Sequence, residues 1–187
     1  NALRKARPDP VHAEEGFLED IAESYTECMV QELREKGLEP GARPLTYKEA
    51  IIGVPGSTFL NTMDLNKSAG YPYGCSKRKI MDVDENGIEH KLRPETMARI
   101  ERAEAGYQRG QTAGWIFKAM FKDEPRAAEK VKAKRTRTIF AAPIEFTILF
   151  RRYFSAIIAL LQLHRGDAYP NCPGVNAEGP EWGGLYD

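Results

Sequence analysis

The sequence predicts an α+β chain. Two stretches of helical periodicity, at 12–36 and 145–164, enclose a hairpin signal at Asn86-Gly87 and an alternating run that leads into Thr138-Ile139-Phe140. The 187 residues suffice for one domain, or one domain with an extension, and would bury roughly 70% of the surface their unfolded chain exposes. With 42% hydrophobic and 29% charged residues, the composition is that of a globular protein rather than a disordered or membrane-spanning one.

Over 12–36, Phe17, Leu18, Ile21, Ala22, Tyr25, Cys28, Met29 and Leu33 fall on one helical stripe with acids opposite, which predicts a packing face beneath a solvated one. Gly37 and Pro40 stop this helix. Thr46 can cap a short helix with Glu49 at the capping-box position, and beyond Gly53 the chain is rich in turn formers and reads as loop. Residues 77–92 read as a hairpin about Asn86-Gly87. Asp82, Asp84, Asn86 and Gly87 also match the first half of a calcium loop, but Arg93 stands where that loop needs its bidentate carboxylate, so the turn is the better reading. Pro94 opens a helix over 95–107, with Met97, Ile100 and Tyr107 on one side and Gly106 and Gly110 closing it. After Pro143, the 145–164 helix is apolar on most faces and is predicted to be buried nearly all round. Its most apolar run, 153–163, is too short to cross a bilayer. Residues 166–187 read as loop.

Net charge is zero, yet it is unevenly placed. Residues 8–33 carry eight acids and no Lys or Arg, whereas 117–137 carries eight basic residues against three acids. Cys28, Cys75 and Cys172 form no CxxC pair, and His12, His90 and His164 are isolated, which argues against a disulfide framework or a zinc site. The basic run has three readings: a solvated helix face, a nuclear-localisation tract, or an extended cationic segment for polyphosphate or nucleic acid. Pro125 opposes a continuous helix. From Lys130 the pattern alternates through Lys132 and Lys134, then Arg135 and Arg137 flank Thr136. That period of two predicts an extended strand with its cations reaching outward.

"KDEPR" at 122–126, Lys130-Val131 and "KRTR" at 134–137 resemble motif F of the RNA-dependent RNA polymerases of picornavirus-like positive-strand RNA viruses. Upstream, "DLNKSAGYPYG" at 64–74 is similar to their motif G, and "KEAIIGVPG" and "VNAEGPEW" also resemble that family. The likeness spans roughly 45–187. It implies a partial right-hand polymerase: an N-terminal helical, fingertip extension over 1–44, a fingers subdomain over 45–142 holding motif G at 66–72 and motif F at 122–137, and the start of the palm over 143–187, without the catalytic core.

Carried over by position, the resemblance implies NTP-binding roles for Lys122, Arg126, Lys130, Arg135 and Arg137, with Arg137 also lying against the incoming base. Template contacts fall to Lys67, Ser68, Ala69, Gly70, Tyr71 and Pro72: a hydroxyl from Ser68, close backbone approach at Gly70, a stacking ring from Tyr71. Three departures bear on this. Lys67 replaces the usual threonine, which leaves open an added phosphate contact or an altered grip. Pro125 for leucine and Lys134 for glycine put the bend between the two arms of motif F in doubt.

Magnesium (Mg2+) is implied for the complete polymerase, but its motif A and Gly-Asp-Asp ligands have no match here. The first methionine is Met29 and the sequence stops at "GGLYD", so a piece of a longer protein is expected, inactive alone and aggregation-prone where its last helix lacks a palm. Implied partners are single-stranded RNA template, NTPs, the remaining palm and thumb, a protein primer and other viral replication proteins, in a membrane-associated complex of the host cytoplasm. Two alternatives stay open on the residues alone: a stand-alone single-stranded RNA-binding module, and an interaction protein whose acidic 12–36 helix docks a partner.

Overall fold

A computed structural model describes residues 16–38, 41–83, 90–133 and 135–164. Helices and short strands mix as the sequence predicts: α1 (Phe17–Glu35), α2 (Tyr47–Ile52), β1 (Met81–Val83), β2 (His90–Leu92), α3 (Pro94–Gln108), β3 (Lys118–Phe121), α4 (Ala128–Lys132), β4 (Thr138–Ala141) and α5 (Ile144–Leu163). The strands form two antiparallel pairs, β1 with β2 and β3 with β4. By contacts the chain divides into two compact units, Asn1–His12 with Met63–Leu149, and Ala13–Thr62 with Phe150–Asp187. Among the described residues no helix is long and apolar enough to cross a membrane.

In the second unit, α2 starts from the predicted capping box. The Thr46 hydroxyl accepts from the Glu49 amide at 3.1 Å while Glu49 accepts from the Thr46 amide at 2.8 Å. Arg43 adds a forked ion pair to that carboxylate, which holds the Glu49 pKa down to about 2. Two arginines of α5 secure the same unit. Arg151 donates to the carbonyls of Ala50 and Asn61, and Arg152 donates to that of Leu45 at 3.1 Å. At Ala50, in the last turn of α2, the cation is favourable on both hydrogen-bond and dipole grounds.

The predicted packing face of α1 is not packed. Phe17, Leu18, Ile21 and Tyr25 are about half exposed, and Leu33 is the buried residue of this helix. Its span also begins later than the periodicity suggests, at Phe17 after the positive-φ Gly16; residues 12–15 lie outside the described residues.

In the first unit, the pairing Met81↔Leu92 and Val83↔His90 is the register that a two-residue turn at 86–87 demands, although 84–89 lie outside the described residues. The hairpin does not extend back to 77. Residues Lys77–Ile80 form a 3-10 turn because the amides of Lys77 and Arg78 are drawn to the carbonyls of Lys67 and Leu65, at 3.0 and 2.9 Å. Arg93, which displaces the calcium-loop carboxylate, instead faces Asp82 at 3.7 Å. Helix α3 begins on Pro94 as predicted and buries Thr96, Ile100 and Ala103, while Tyr107 stays largely exposed. A polar knot joins it to α5: the Tyr73 hydroxyl donates to Glu145, lies 3.3 Å from Thr96 Oγ1, and sits under Arg99.

Two further expectations are corrected. The 130–137 segment is not an extended strand: Ala128–Lys132 is a short helix, and regular strand resumes at Thr138. Ala, Glu and Lys are strong helix formers, and an alternation of five residues carries too little pairing to oppose that preference. The β3 partner strand, Lys118–Phe121, carried no sequence prediction. Helix α5, expected to be buried nearly all round, hides Ile144, Ile148, Leu149, Ala156 and Ala159 but exposes Phe150, Tyr153, Phe154 and Ile158. Each of these forgoes part of the roughly 1.5–3 kcal/mol that full burial would contribute.

Such a stripe should bind a hydrophobic dye. Replacing Phe150 and Phe154 with glutamine should remove at least about half of the dye fluorescence and leave the urea midpoint nearly unchanged, since the two rings stack on each other at 5.0 Å rather than in the core.

Candidate nucleotide and template site

Two segments that the sequence singles out lie in the first unit and are joined through β4. The first is the 122–137 connection between β3 and β4. Its two ends are zipped by the Lys122 amide on the Arg137 carbonyl at 2.8 Å, so the loop is closed at its base by the hairpin. Within it the Arg135 amide bonds the Lys130 carbonyl at 3.0 Å, which folds α4 back onto the second arm.

Glu124 is the centre of the charge arrangement. Its carboxylate pairs with Lys122 at 2.8 Å, with Arg126 at 2.6 Å, and with Arg137. Arg126 also donates to the Arg135 carbonyl at 2.6 Å. These bonds hold the Glu124 carboxyl well below the usual carboxylate range, the Arg137 bond contributing most, and the same bond raises the Arg137 guanidinium. Glu124, Arg126, Lys130, Arg135 and Arg137 line one cleft of about 520 Å³. The structure therefore gathers four of the five predicted cations in one cleft and ties the fifth, Lys122, to the same acid. Their tasks differ, however. Arg126 is mostly covered and committed on several sides, whereas Lys130, Arg135 and Arg137 are exposed. Lys134 lies outside the described residues.

The second segment is the 67–72 corner. Lys67, Tyr71 and Pro72 are exposed and Ser68 is half-buried. The Ser68 hydroxyl oxygen accepts from the Gly70 amide at 3.1 Å, which leaves its own proton available for donation. Ala69 is fully buried, its amide bonded to the Cys75 carbonyl at 2.8 Å and its carbonyl to the Ile144 amide at 2.9 Å. It anchors the corner and offers no surface. Gly70, at φ +79°, lies so close to the chain that a Cβ would fall 2.3 Å from the Ala142 carbonyl oxygen. The close approach at this glycine is to its own backbone, where the sequence suggested a phosphate. The bond Tyr71-Pro72 is cis.

Because Ala142 directly follows β4 and Arg137 directly precedes it, the corner and the cationic loop sit at opposite ends of one four-residue strand, roughly 15–17 Å of chain apart. A residue that sequence reading passed over is Lys77, which is nearly buried beneath the corner. Burial pushes its ammonium pKa down, Asp64 opposes that, and Lys67 adds to it. In "KRK" it carries no mark that separates it from its solvated neighbours.

Among the described residues no group of three or more His, Cys, Asp or Glu could hold a metal ion, so the magnesium that the resemblance implies finds no ligand set in them.

A profile of the family described as viral RNA-dependent RNA polymerase matches residues 4–187. The genome polyprotein of avian encephalomyelitis virus (strain Van Reokel) is 35% identical over 158 residues, covering 84% of this chain and 7% of that protein. That of human hepatitis A virus genotype IA (isolate HAS-15) is 32% identical over 140 residues, covering 73% and 7%. The RNA1 polyprotein of tomato torrado virus is 30% identical over 182 residues, covering 90% and 8%. Among solved structures, the Sicinivirus 3Dpol RNA dependent RNA polymerase superposes with a TM-score of 0.60 at 28% identity, over 85% of this chain and 32% of that one. This chain thus spans less than a tenth of the polyproteins it matches.

Two outcomes follow from the geometry. Gly70→Ala should destabilise the chain by about 2–4 kcal/mol in urea unfolding, since it combines a positive φ with overlap on backbone that cannot move alone. Glu124 has a depressed folded pKa. Its contribution is therefore present above the ordinary carboxyl value of 4.5 and is lost as pH falls through the lower folded value. A side-chain carboxyl 13C titration should place its midpoint well under 4.5; a midpoint at the ordinary value would refute the cluster.

Proposed function

The chain belongs to the viral RNA-dependent RNA polymerase family, and from that premise we propose that its 122–137 loop grips the triphosphate of an incoming nucleotide while its 67–72 corner steers template RNA during RNA-templated RNA synthesis in genome replication. The observation that carries this reading is the cleft in which Lys130, Arg135 and Arg137 surround a tethered Glu124–Arg126 pair. A polyanion needs fixed donors, and Glu124 supplies the fixing. It orients the guanidinium planes before a ligand arrives, so less side-chain entropy is lost on binding.

The chemistry is in-line attack of a 3′-hydroxyl on the α-phosphorus with pyrophosphate leaving, and cations near the β- and γ-phosphates lower the barrier by neutralising the charge that builds there. Arg137 suits both a phosphate and the face of a base, being planar and still 60% exposed at its side chain despite the Glu124 pair. At the corner, Ser68 supplies a hydroxyl, Lys67 a cation and Tyr71 an exposed ring, while Ala69 and Gly70 hold them in place. Under this reading residues 45–142 form the fingers and α5 leads into the palm. Its partners are template RNA, NTPs and the other polymerase subdomains, with a protein primer and other replication proteins at a membrane-associated complex of the host cytoplasm.

Replacing Lys130, Arg135 and Arg137 together with alanine should weaken nucleoside triphosphate binding at least about tenfold. It should also flatten the log–log salt dependence of single-stranded RNA binding by about 2, as three phosphate contacts are lost. Loss for RNA alone, with triphosphate binding unchanged, would point to a plain RNA-binding surface instead.

A further inference from the structure

A second cationic cleft lies in the same unit, away from the 122–137 loop. Arg99 and Arg102 on α3 and Arg109 at its C-cap line one side of the cleft, and between them Ala103 and Gly106 leave the face hollow. The chain turns back at Gly110, and the Gln111 amide bonds the Gly106 carbonyl at 3.0 Å, so 111–115 forms the opposite wall. The open cleft has a volume of about 440 Å³, and among the described residues no carboxylate lines it. That separates it from the first cleft, where Glu124 sits among the cations.

Its polar groups are set for a ligand. Arg109 is steadied by the Gln111 side chain at 3.2 Å. Trp115 is held at its edge, its indole N–H donating to the Tyr107 hydroxyl and its ring standing at 71° to Phe146, which fixes the plane it presents. Guanidinium forks match phosphate oxygens, and an anchored indole offers a base a stacking surface. One nucleotide unit has both parts. Arg99 shows where the rest of a strand would run. It lies 5.5 Å over the Tyr73 ring, so the cleft opens beside the residue that follows the 67–72 corner, and its own charge is partly met by Glu145 at 3.7 Å.

We propose that the α3 cleft binds a phosphodiester and one base of single-stranded RNA, continuing the template path beyond the 67–72 corner. The inference rests on the reading of that corner as a template guide, but the cleft has its own test.

The probe is a 4-thiouridine-containing oligouridylate of about twelve nucleotides, with the full chain. Irradiation should attach it to Trp115, recovered in the tryptic peptide 110–118. Arg102→Gln with Arg109→Gln should weaken oligouridylate binding about tenfold, flatten its salt slope by about 1.4, and abolish the crosslink while leaving triphosphate binding unaltered. Arg102→Lys with Arg109→Lys should restore most of the slope but less of the affinity, because a lysine cannot fork. The inference is overturned if the glutamine pair leaves affinity, slope and crosslink unchanged. It is equally overturned if uridine monophosphate or inorganic phosphate displaces the oligomer as well as unlabelled oligomer does, since the cleft would then take a free phosphate group. A crosslink at Trp115 that survives in the Lys130, Arg135 and Arg137 alanine variant would uphold the cleft even where the triphosphate reading fails.

Discussion

The seam between Ala69-Gly70 and residues 142–144 is the constraint on which the functional arrangement depends. The Ala69 carbonyl takes the first amide of α5, and Gly70 lies against the backbone just before it. Space for a side chain is lacking there, so the loop and the β4–α5 junction fit in one relative position. Because β4 runs from that seam to Arg137, a small backbone contact sets where the cationic loop stands relative to the 67–72 corner. The groups that would touch nucleic acid project from either end of the seam.

Charge in the 122–137 loop obeys a second constraint. Seven cations crowded on the sixteen residues 122–137 would repel one another and leave their side chains loose. Glu124 resolves this by accepting from three of them, and the Arg126 bond to the Arg135 carbonyl ties side-chain order to main-chain order. Among the described residues, Lys130, Lys132, Arg135 and the exposed side of Arg137 remain outward. The α3 cleft uses the opposite device. There the cations are spread over three turns of helix with small residues between them, so no central acid is needed to keep them apart. One fold thus presents its cations in two ways, a tethered cluster and a spaced stripe.

Much of this was legible in the residues. The capping box at Thr46 and Glu49, the Pro94 start of α3, the register about Asn86-Gly87 and the long α5 rest on local chemistry: a hydroxyl three residues from a carboxyl, a ring that fixes φ, a period near 3.6. So did the family, because motifs F and G are short ordered strings whose spacing survives in the chain.

What local chemistry could not supply is which faces find partners. The stripe of α1 and the outer side of α5 have the periodicity of packed helices, yet Phe17, Ile21, Phe150 and Phe154 stay exposed, since burial depends on what is present across the gap. The alternation over 130–137 was legible as well, but a strand needs a neighbour to pair with, and there the chain closes into a helical turn instead. Residue order thus determined the helices α2, α3 and α5, the capping box of α2 and the family. Tertiary structure alone decided that Gly70 serves its own backbone, that Lys77 is buried, and that three arginines of α3 share one hollow, because each depends on chain segments brought together only by folding.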